Sequence, residues 1–477
     1  MERILTTEQM RSADRFTIDK LGVLEQTLVE RAGEAVANEI LKRFKGGRVL
    51  VCVGKGNNGA DGRVVADILS KKHGFSVMVL SVSNGIFKMF EREFDIIVDC
   101  IFGTGLNKEV EGKYKQAIEL INSSKAYIVS CDIPSGINGD NGKVMGAAVK
   151  ANLTIAIQEL KLGHFLGEGI DYCGEVVAKD IGISVWGDDF VKRLNDNTPS
   201  RYFVERNRNV HKGCFGKSVI IGGSKDFSGS VVLSMNAITA LKTGAGYSTI
   251  VVPECLFIGL IGLNPECILN YAPEIDGKFD FNQDFFAKYL DADCICIGMG
   301  CGVSENLYQL INYFLKKYNG TLIIDADGLN SLSQFGVEIL KNKTCRVVVT
   351  PHVGEFGRLS GCSKKEILEN SINLAKSFAN EYKVFIVLKN AVSVITDGQE
   401  VYLNTSGCVG LAKAGSGDVL CGVLCGVLSN TEDILEGCAS ACYVFGKAGE
   451  KAQQNQKSFT VTACDVVNAL PKVIYEL

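Results

Sequence analysis

The sequence predicts an α/β protein with two domains, each built on a doubly wound, mostly parallel sheet. Apolar runs typical of buried strands alternate with segments of helical spacing along most of the 477 residues. A chain of this length exceeds one ordinary hydrophobic core, which also indicates more than one domain. Each half contains a glycine-rich segment next to a helix-like run. We therefore expect one ligand site in each domain.

In the first half, RVLVCVG (48–54) predicts a buried parallel strand and RVVADILSKK (63–72) predicts a helix. The segment between them, KGNNGADG (55–62), is predicted to be a loop at the carboxyl end of the strand, where open α/β sheets bind ligands. Because it contains Asn57 and Asn58, this segment does not match the dinucleotide fingerprint G-x-G-x-x-G. Further strands are predicted in FSVMVLSV, FDIIVDC, AYIVSC and LTIAI.

Two more polar loops follow strands of the same predicted sheet, DCIFGTGL and CDIPSGINGD. Their polar side chains should share one sheet edge with the first loop, because parallel strands end at the same edge. Oxygen ligands that converge from separate loops suit a hard cation, either potassium or a divalent ion. Each residue taken alone also fits a turn or a helix cap. The residues concerned are Asn58, Asp99, Asp132 and Ser135.

A charged stretch without periodicity, VKRLNDNTPSRYFVERNRN, separates the two halves, and we place the domain boundary near Ser200. The predicted domains are therefore residues 1–200 and 201–477. Strands of the second sheet are predicted in GKSVIIGG, DCICIG, GTLIIDADG, CRVVVTPH and KVFIVLKN.

Near the C-terminus, AKAGSGDVLCGVLCGVL places Gly415, Ser416, Gly417 and Asp418 directly before an apolar, helix-like run. The glycines permit a sharp turn, and the N–H groups at the start of a helix suit phosphate charge. Asp418 would lie beside this anion site as a base. The segment therefore predicts phosphoryl transfer, although a glycine turn that ends in a helix-capping Asp has the same sequence.

Composition excludes several other classes of protein. The net charge is −4 and no basic stripe occurs, which argues against nucleic acid as a partner. The longest apolar stretches are too short to span a bilayer, and the first residues have no apolar signal core, so we expect a cytoplasmic protein. The eighteen cysteines include no C-x-x-C pair, which favours small core residues over a zinc site or a disulfide framework.

An ordered set of sequence strings resembles the bifunctional NAD(P)H-hydrate repair enzymes over essentially the whole chain. In that family a Rossmann-like NAD(P)H-hydrate epimerase domain precedes a ribokinase-like dehydratase domain that uses ADP or ATP. The strings of the first half are VGKGNNGADG, DCIFGTGL and DIPSGINGDNG. Those of the second half are KGCFGKSVIIGGS, TGAGYSTI, IGMGCG, IDADGLN, TPHVGEFGRL, LKNAVSVI and AGSGDVLCGVL.

For the first domain, the resemblance implies NADH or NADPH hydrated at C6 as substrate and potassium as the cation. We expect Asp132 to handle the proton in epimerisation. The implied substrate contacts are Asn57, Asn58, Gly59, Ala60, Asp61, Gly103, Thr104, Gly105, Leu106, Asn107, Lys108, Glu109 and Asp132. The implied potassium ligands are Asn58, Asp99 and Ser135.

For the second domain, the resemblance implies dehydration of the S hydrate with Asp418 as the base and with magnesium present. Likeness to bacterial members favours ADP over ATP as co-substrate, with AMP and phosphate as products. We also expect small molecules as the only ligands, and a homo-oligomer. The implied hydrate contacts are Ser230, Gly300, His352 and Asp418. The implied nucleotide contacts are Lys389, Asn390, Ala391, Val392, Ser393, Gly415, Ser416 and Gly417.

Several residues differ from the family pattern without removing an implied ligand group, namely Ala60, Ser230, Met299, Asn390 and the Ala412–Lys413–Ala414 approach to the anion loop. Three other functions remain open. The second half could be a kinase for a thiazole or pyrimidine vitamin precursor. The first half resembles a binding and dimerisation domain of mRNA-decapping scaffolds. The chain could also be a regulator without activity. Asp325 and Asp327 suit either magnesium or strand-end caps.

Overall fold

The computed structural model of the protein describes residues 1–239, 242–454 and 456–477. The chain divides into two compact units, Glu2–Val191, and Lys192–Leu477 together with Met1. No helix in the described ranges is long and apolar enough to cross a membrane.

The first unit is of the predicted α/β class. Its strands are β1 (Glu2–Leu5), β2 (Gly47–Val53), β3 (Phe75–Ser81), β4 (Ile96–Cys100), β5 (Tyr127–Cys131), β6 (Leu153–Ile157), β7 (Leu160–Lys161) and β8 (Glu175–Lys179). Its helices are α1 (Thr7–Asp19), α2 (Glu25–Arg43), α3 (Asn57–Ser70), α4 (Gly112–Ser123) and α5 (Gly169–Tyr172).

The main sheet of this unit has the order β3-β2-β4-β5-β6-β8, and every pairing in it is parallel. Both faces are covered, as a parallel sheet requires. Along β2, Val49 and Val51 pack with residues of α2 and α3 on one face, whereas Leu50 packs with residues of α4 on the other. This explains why β2 reads as a continuous apolar run.

Helix α3 begins at Asn57, inside the segment that the sequence predicts to be a loop. The reason is close packing of the helix on the sheet. A Cβ atom at Gly59 would lie 2.2 Å from the Gly54 carbonyl oxygen, and one at Gly62 would lie 2.7 Å from the Cβ of Cys100. These glycines therefore allow α3 to pack closely against the strands, and they do not form a turn. The prediction of a loop over 55–62 was wrong for most of the segment.

The second unit is also α/β. Its strands are β9 (Val191–Arg193, which starts at the division between the units), β10 (Lys217–Ile221), β11 (Tyr247–Pro253), β12 (Ile268–Ala272), β13 (Glu274–Ile275), β14 (Lys278–Phe279), β15 (Cys294–Ile297), β16 (Thr321–Ile324), β17 (Arg346–Val349), β18 (Phe385–Leu388), β19 (Ser393–Thr396) and β20 (Val401–Asn404). Its helices are α6 (Ser228–Thr239), α7 (Phe257–Leu260), α8 (Gln283–Phe286), α9 (Glu305–Lys317), α10 (Asp327–Phe335), α11 (Val353–Ser360), α12 (Lys364–Glu369), α13 (Ser371–Tyr382), α14 (Ser416–Leu428), α15 (Ile434–Gln453) and α16 (Ala463–Tyr475).

The sheet of this unit runs in the order β12-β11-β10-β15-β16-β17-β18-β19-β20-β9. The strands from β12 to β18 are parallel, whereas β18, β19 and β20 pair antiparallel. Helix α14 is buried along nearly its whole length and packs against α6 and α15. The apolar run after the Gly415–Asp418 segment is therefore the central helix of this core, as its composition predicts.

The division between the units falls at Val191, earlier than the predicted boundary near Ser200. Lys192 and Arg193 pair with Tyr402 and Leu403 of β20, so the start of the charged stretch belongs to the second sheet. A boundary for separable domains near Ser200 stays a prediction.

Candidate functional site

The first unit contains a cavity of about 790 Å³ at the carboxyl edge of its parallel sheet. The N-terminus of α3 opens into it, with Gly56 as the residue before the helix. Unpaired N–H groups at the start of a helix favour an anion, such as a diphosphate. The cavity lies at the carboxyl ends of the strands, which is where open α/β sheets usually bind ligands.

Most of the predicted substrate contacts of this unit line the cavity. They come from α3, from the segment after β4 and from the end of β5. The lining includes Asn57, Asn58, Asp61, Gly103, Thr104, Gly105, Leu106, Asn107, Lys108, Glu109 and Asp132. Gly59 and Ala60 are not among the lining residues, since the main chain of Gly59 lies against Gly54.

Asp99 lies beneath the cavity and is fully buried. Its Oδ1 accepts hydrogen bonds from Ser135 Oγ at 2.6 Å and from the Ile101 amide at 3.2 Å. Its Oδ2 accepts from Ser130 Oγ at 2.9 Å and from the Ser135 amide at 2.8 Å. Burial raises the pKa of Asp99, although the hydrogen bonds from Ser135, Ser130 and Ile101 oppose the shift. A cation next to this carboxylate would remove the cost of its burial.

Asn58 connects this polar cluster to the loop after β5. Its Nδ2 donates to the Cys131 carbonyl at 2.9 Å. Its Oδ1 is buried and has no hydrogen-bond partner among the described residues. A buried amide oxygen without a donor is costly, and a metal ion could satisfy it. Asn58, Asp99 and Ser135 supply oxygen atoms, the ligand type that a hard cation such as potassium prefers.

Asp132 follows β5 in a left-handed conformation, with φ of 68°, which is uncommon outside glycine. Its Oδ1 accepts from Lys161 Nζ at 2.5 Å, and its Oδ2 accepts from the Thr104 amide at 3.3 Å. Burial alone would raise the pKa of Asp132, but the charge and hydrogen bond of Lys161 hold it below the usual value. Asp132 is therefore ionised at neutral pH and lies beside the cavity.

Asp61 is a second carboxyl group of this cavity, on the first turns of α3. Burial, followed by repulsion from Asp132, raises the pKa of Asp61 to about 8. At neutral pH Asp61 is therefore mostly protonated, whereas Asp132 is ionised. Such a pair can donate a proton to one atom of a ligand and accept a proton from another.

In the second unit, α14 starts at Ser416. The preceding residue, Gly415, has a φ of 90°, in the left-handed region that favours glycine. A side chain at Gly415 would also clash with Leu233, because its Cβ would lie 2.5 Å from Cδ1 of that residue. Asp418 lies in the first turn of the helix. The predicted anion loop and its acidic residue are thus at a helix N-terminus, where they can act on a phosphate group.

A buried ion pair lies next to this loop. Lys389 Nζ is 2.7 Å from Asp325 Oδ1, and Cys421 Sγ donates to Asp325 Oδ2 at 3.0 Å. Burial alone would raise the pKa of Asp325, but Lys389 and Cys421 lower it, and Asp325 in turn raises the pKa of Lys389. The Cβ position of Gly417 is 3.5 Å from Lys389 Nζ, so the lysine charge lies close to the start of α14.

The carboxyl group of Asp418 is close to this ion pair. Burial, followed by repulsion from Asp325, raises the pKa of Asp418 to about 6, whereas a hydrogen bond from Ser230 and the charge of Lys389 oppose the shift. At neutral pH most of the Asp418 population is ionised and can accept a proton. Ser230 also lies near Gly300, whose Cβ position is 3.2 Å from the Cβ of Ser230. The structure thus brings together three of the four predicted hydrate contacts.

His352, the fourth, acts as the N-terminal cap of α11. Its Nδ1 accepts from the Gly354 amide at 2.9 Å and from the Glu355 amide at 3.3 Å. This capping role is structural, yet the side chain of His352 remains more than half exposed. The main chain of His352 pairs with that of Lys389, which places the cap beside the segment 389–393.

The predicted nucleotide segment 389–393 follows β18 and ends at Ser393, the first residue of β19. Asn390 and Ala391 are exposed, whereas Val392 is buried and contributes to packing. Only part of this segment therefore offers side chains to a ligand.

Sequence reasoning missed Lys161, His164 and Cys421. The stretch IQELKLGH carries no sign that its lysine is buried, because an isolated lysine is ordinarily exposed. Cys421 was assigned to the core by its apolar context, and nothing in the sequence connects it to Asp325, which is distant along the chain. These contacts arise from tertiary packing.

Comparison with known protein families assigns both halves. Residues 218–472, more than half of the chain, match the family model described as NAD(P)H-hydrate dehydratase. Residues 25–89 and 83–163 match the model described as YjeF-related protein N-terminus.

The bifunctional NAD(P)H-hydrate repair enzyme Nnr of Thermofilum pendens is 31% identical over 515 residues, covering 100% of this chain and 97% of the relative. Among solved structures, the ADP/ATP-dependent NAD(P)H-hydrate dehydratase of Bacillus subtilis, co-crystallised with ATP/Mg²⁺, is 26% identical with a TM-score of 0.52. That match covers 60% of this chain and 98% of the other. A ribokinase-like superfamily protein of Enterococcus faecalis, 23% identical with a TM-score of 0.51, covers 61% of this chain and 98% of its own and shows the same fold.

Proposed function

Because the chain belongs to the family of bifunctional NAD(P)H-hydrate repair enzymes, we propose that its two sites carry out the two steps of this repair. The chain is an NAD(P)H-hydrate epimerase and an ADP/ATP-dependent NAD(P)H-hydrate dehydratase. We assign epimerisation to the cavity beside Asp132 and dehydration of the S epimer to the site beside Asp418. The observation that carries this assignment is the same in both units, a helix N-terminus beside a buried Lys–Asp pair and a carboxyl group of raised pKa.

In dehydration, Asp418 accepts the proton of the C6 hydroxyl while that oxygen attacks the terminal phosphorus of the nucleotide. The bond from this phosphorus to its bridging oxygen breaks, and with ADP the leaving group is AMP. The amides at the start of α14 and the nearby Lys389 stabilise the negative charge on the transferred phosphoryl group. Phosphate then leaves C6, and loss of a proton from C5 restores the dihydronicotinamide ring.

In epimerisation, no nucleotide is consumed. Protonated Asp61 donates its proton to the C6 hydroxyl, which leaves as water while the ring nitrogen forms a double bond to C6. Water then adds to the opposite face of C6, and ionised Asp132 accepts its proton. The R and S hydrates therefore interconvert, so the dehydratase receives the S epimer from both.

Substrate contacts in both sites follow the same proposal. In the first unit, the dinucleotide lies in the cavity with phosphate charge at the start of α3. In the second, the hydrate lies beside Ser230, Gly300, His352 and Asp418, and the nucleotide contacts the segment 389–393 and residues 415–417. ADP is our expected co-substrate. A homo-oligomeric state and a cytoplasmic location stay predictions.

Potassium in the first unit would be held by Asn58, Asp99 and Ser135. The buried, unpartnered Oδ1 of Asn58 and the buried carboxylate of Asp99 support this choice. When bound, the ion would neutralise Asp99 and fix the three segments that form this side of the cavity.

Magnesium in the second unit is not expected to be held by protein groups alone. Within the described ranges no cluster of three or more His, Cys, Asp or Glu residues could hold a metal ion. Asp325 is engaged by Lys389 and Cys421, and Asp327 Oδ2 accepts from the Gly302 amide at 2.8 Å. We therefore expect magnesium to enter with the nucleotide, bound mainly by phosphate oxygens.

The direct test uses the purified chain and a mixture of R and S hydrates of NADH. With ADP, both epimers should disappear and the near-ultraviolet absorbance of dihydronicotinamide should return. Without nucleotide, only interconversion of the epimers should occur. A stable phosphorylated product from a thiazole or pyrimidine precursor, with no recovery of NADH, would instead identify a vitamin-precursor kinase.

A further inference from the structure

Lys161 is the most deeply buried cationic side chain at the first site, with 1% of its surface exposed. It lies on the two-residue strand β7, and its Nζ donates to Asp132 Oδ1 at 2.5 Å and to the Ile157 carbonyl at 2.6 Å. A buried ion pair contributes little net stability, because removing two charges from water offsets their attraction. The pair is therefore weak evidence for a purely stabilising role, and the position of Lys161 at the cavity points to a role at the site.

The ion pair with Lys161 uses one carboxylate oxygen of Asp132 and leaves the other available for a ligand. Lys161 occupies Oδ1, whereas Oδ2 receives only the long hydrogen bond of 3.3 Å from the Thr104 amide among the described contacts. Gly103 lies over this oxygen, and a Cβ atom there would be 3.2 Å from Oδ2. The absence of a side chain at Gly103 thus leaves space for a ligand atom at Oδ2.

The main chain of Asp132 is held by the same segment of the protein. His164 follows Lys161 by three residues, and its Nε2 lies 2.9 Å from the Asp132 carbonyl oxygen. His164 Nδ1 accepts from the Lys161 amide at 3.1 Å, so Nε2 carries the proton in neutral His164 and donates it to that carbonyl. Lys161 and His164 together fix both the carboxylate and the left-handed main chain of Asp132.

We propose that Lys161 is a positioning residue for epimerisation, which holds Asp132 through Oδ1 so that Oδ2 faces the C6 substituent of the hydrated nicotinamide. This inference rests on the proposed epimerisation at this cavity. Without the lysine, the carboxylate can rotate, and Oδ2 no longer has a fixed direction. A loss of alignment lowers the rate of the chemical step more than it weakens binding.

The test removes the lysine and returns its charge. In Lys161→Ala, kcat for epimerisation should fall by about 100-fold, the lower end of the range for a misplaced acid–base group, while KM stays nearly constant. Lys161 lines the cavity, so the space left by its side chain is continuous with it. Propylammonium, which matches the missing atoms, should raise the rate by about tenfold or more, whereas neutral 1-propanol should not.

Two further variants separate positioning from a structural role. In the Asp132→Asn/Lys161→Ala double variant, the rate should equal that of Asp132→Asn alone and propylammonium should have no effect, because the lysine acts through Asp132. Lys179→Ala removes a partly buried lysine of the same unit, which pairs with Glu39 outside the cavity, and should keep the wild-type rate. Circular dichroism and the thermal unfolding of each variant report whether the first unit is folded.

The outcomes distinguish this inference from the proposed function. If the wild-type chain does not epimerise the hydrates, the proposed function of the cavity is wrong. If the wild type epimerises them and Lys161→Ala does so at the same rate, only the role of Lys161 is wrong. Rescue by 1-propanol equal to that by propylammonium, or an additive loss in the double variant, would also overturn the positioning role.

Discussion

The two sites have the same parts on two different sheets. In each, a helix starts at a glycine-rich segment, α3 after Gly56 and α14 after Gly415. In each, a lysine and an aspartate form an ion pair close to that helix, Lys161 with Asp132 and Lys389 with Asp325. A further aspartate, Asp61 or Asp418, lies in the first turns of the helix with a raised pKa.

The sites differ in how far that pKa is raised. The pKa of Asp61 is about 8 and that of Asp418 is about 6. Burial is the largest cause in both cases, and the carboxylate of the ion pair comes second. Asp418 differs because a hydrogen bond from Ser230 and the charge of Lys389 stabilise its ionised form. The Ser230 hydroxyl and the Lys389 ammonium group thus favour the ionised form of Asp418.

This difference matches the two reactions. A carboxyl group that keeps its proton at neutral pH can protonate a leaving hydroxyl group, as epimerisation requires. A carboxylate that has lost its proton can activate a hydroxyl group for attack on phosphorus, as dehydration requires. The same arrangement can thus supply an acid in one unit and a base in the other, and the predictions below test this contrast.

The largest expected effect is the loss of dehydration in Asp418→Asn. The amide keeps the shape of the side chain and cannot accept the hydroxyl proton, so the rate should fall by about 100- to 10,000-fold. Recovery of NADH absorbance from the S hydrate with ADP measures this rate.

Epimerisation by the same variant should be unchanged, because it takes place in the other unit, and circular dichroism checks that the second unit keeps its fold. Asp433→Asn is the matched control, because Asp433 caps α15 through the Glu436 amide and is exposed. It should keep both activities. A near-normal dehydration rate in Asp418→Asn would mean that this residue is only a helix cap.

The converse variant, Asp61→Asn, should lower epimerisation by about 100-fold, because the amide cannot transfer a proton to the leaving hydroxyl group. The rate is measured from the recovery of the R/S ratio by chromatography after one epimer has been depleted. Dehydration of the S hydrate should stay at the wild-type rate.

Asp67→Asn on the same helix is the control for Asp61→Asn, since Asp67 is exposed and paired with Lys71. It should epimerise normally. If Asp61→Asn epimerises as fast as Asp67→Asn, the proton comes from another group and the contrast between the sites fails.

The fold was predictable from sequence to the extent that burial of whole strands decided it. Runs such as RVLVCVG and LTIAI became β2 and β6, because strands covered on both faces must be continuously apolar. The start of α3 was not predictable. Gly59 and Gly62 favour a turn locally, yet in the structure they permit close packing of a helix on the sheet. Only the position of the neighbouring strand reveals which role applies.

The candidate sites were predictable where a residue type and its place at a strand end agree, as for Asp132, and at the glycine-rich start of α14. The ion pairs were not. Lys389 was expected at the nucleotide, and its Nζ also contacts Asp325. Asp325 follows β16 and Lys389 follows β18, so β17 lies between them in the sheet. Lys161 was not expected at all. A charge is tolerated in a core only when its partner is present, and the partner is fixed by the fold rather than by local sequence.

A smaller effect is expected from potassium, which our proposal requires in only one of the two units. Replacing potassium by tetramethylammonium, too large for a site of three buried residues, should lower epimerisation by about tenfold, at the lower end of losses seen when metal sites are perturbed. Titration with potassium should restore the rate.

In Asp99→Asn this potassium dependence should disappear, whereas Asp95→Asn, an exposed residue paired with Arg48, should keep it. The dehydration rate, assayed by NADH recovery, serves as the reference because the oxygen cluster lies wholly in the first unit. Equal epimerisation rates of the wild type in both salts would remove potassium from the proposal.

The smallest and sharpest test is the pH dependence of the two wild-type activities. Epimerisation needs protonated Asp61, so kcat/KM should fall as pH rises, with about half of the plateau rate at pH about 8. Dehydration needs ionised Asp418, so kcat/KM should rise with pH, with about half of its plateau at pH about 6. Between these values both activities are high, which suits two steps that operate in sequence.

In Ser230→Ala, the ionised form of Asp418 loses a hydrogen bond, so the midpoint for dehydration should move to higher pH while that for epimerisation stays in place. Profiles that fall or rise together would show that the two carboxyl groups do not have opposite roles.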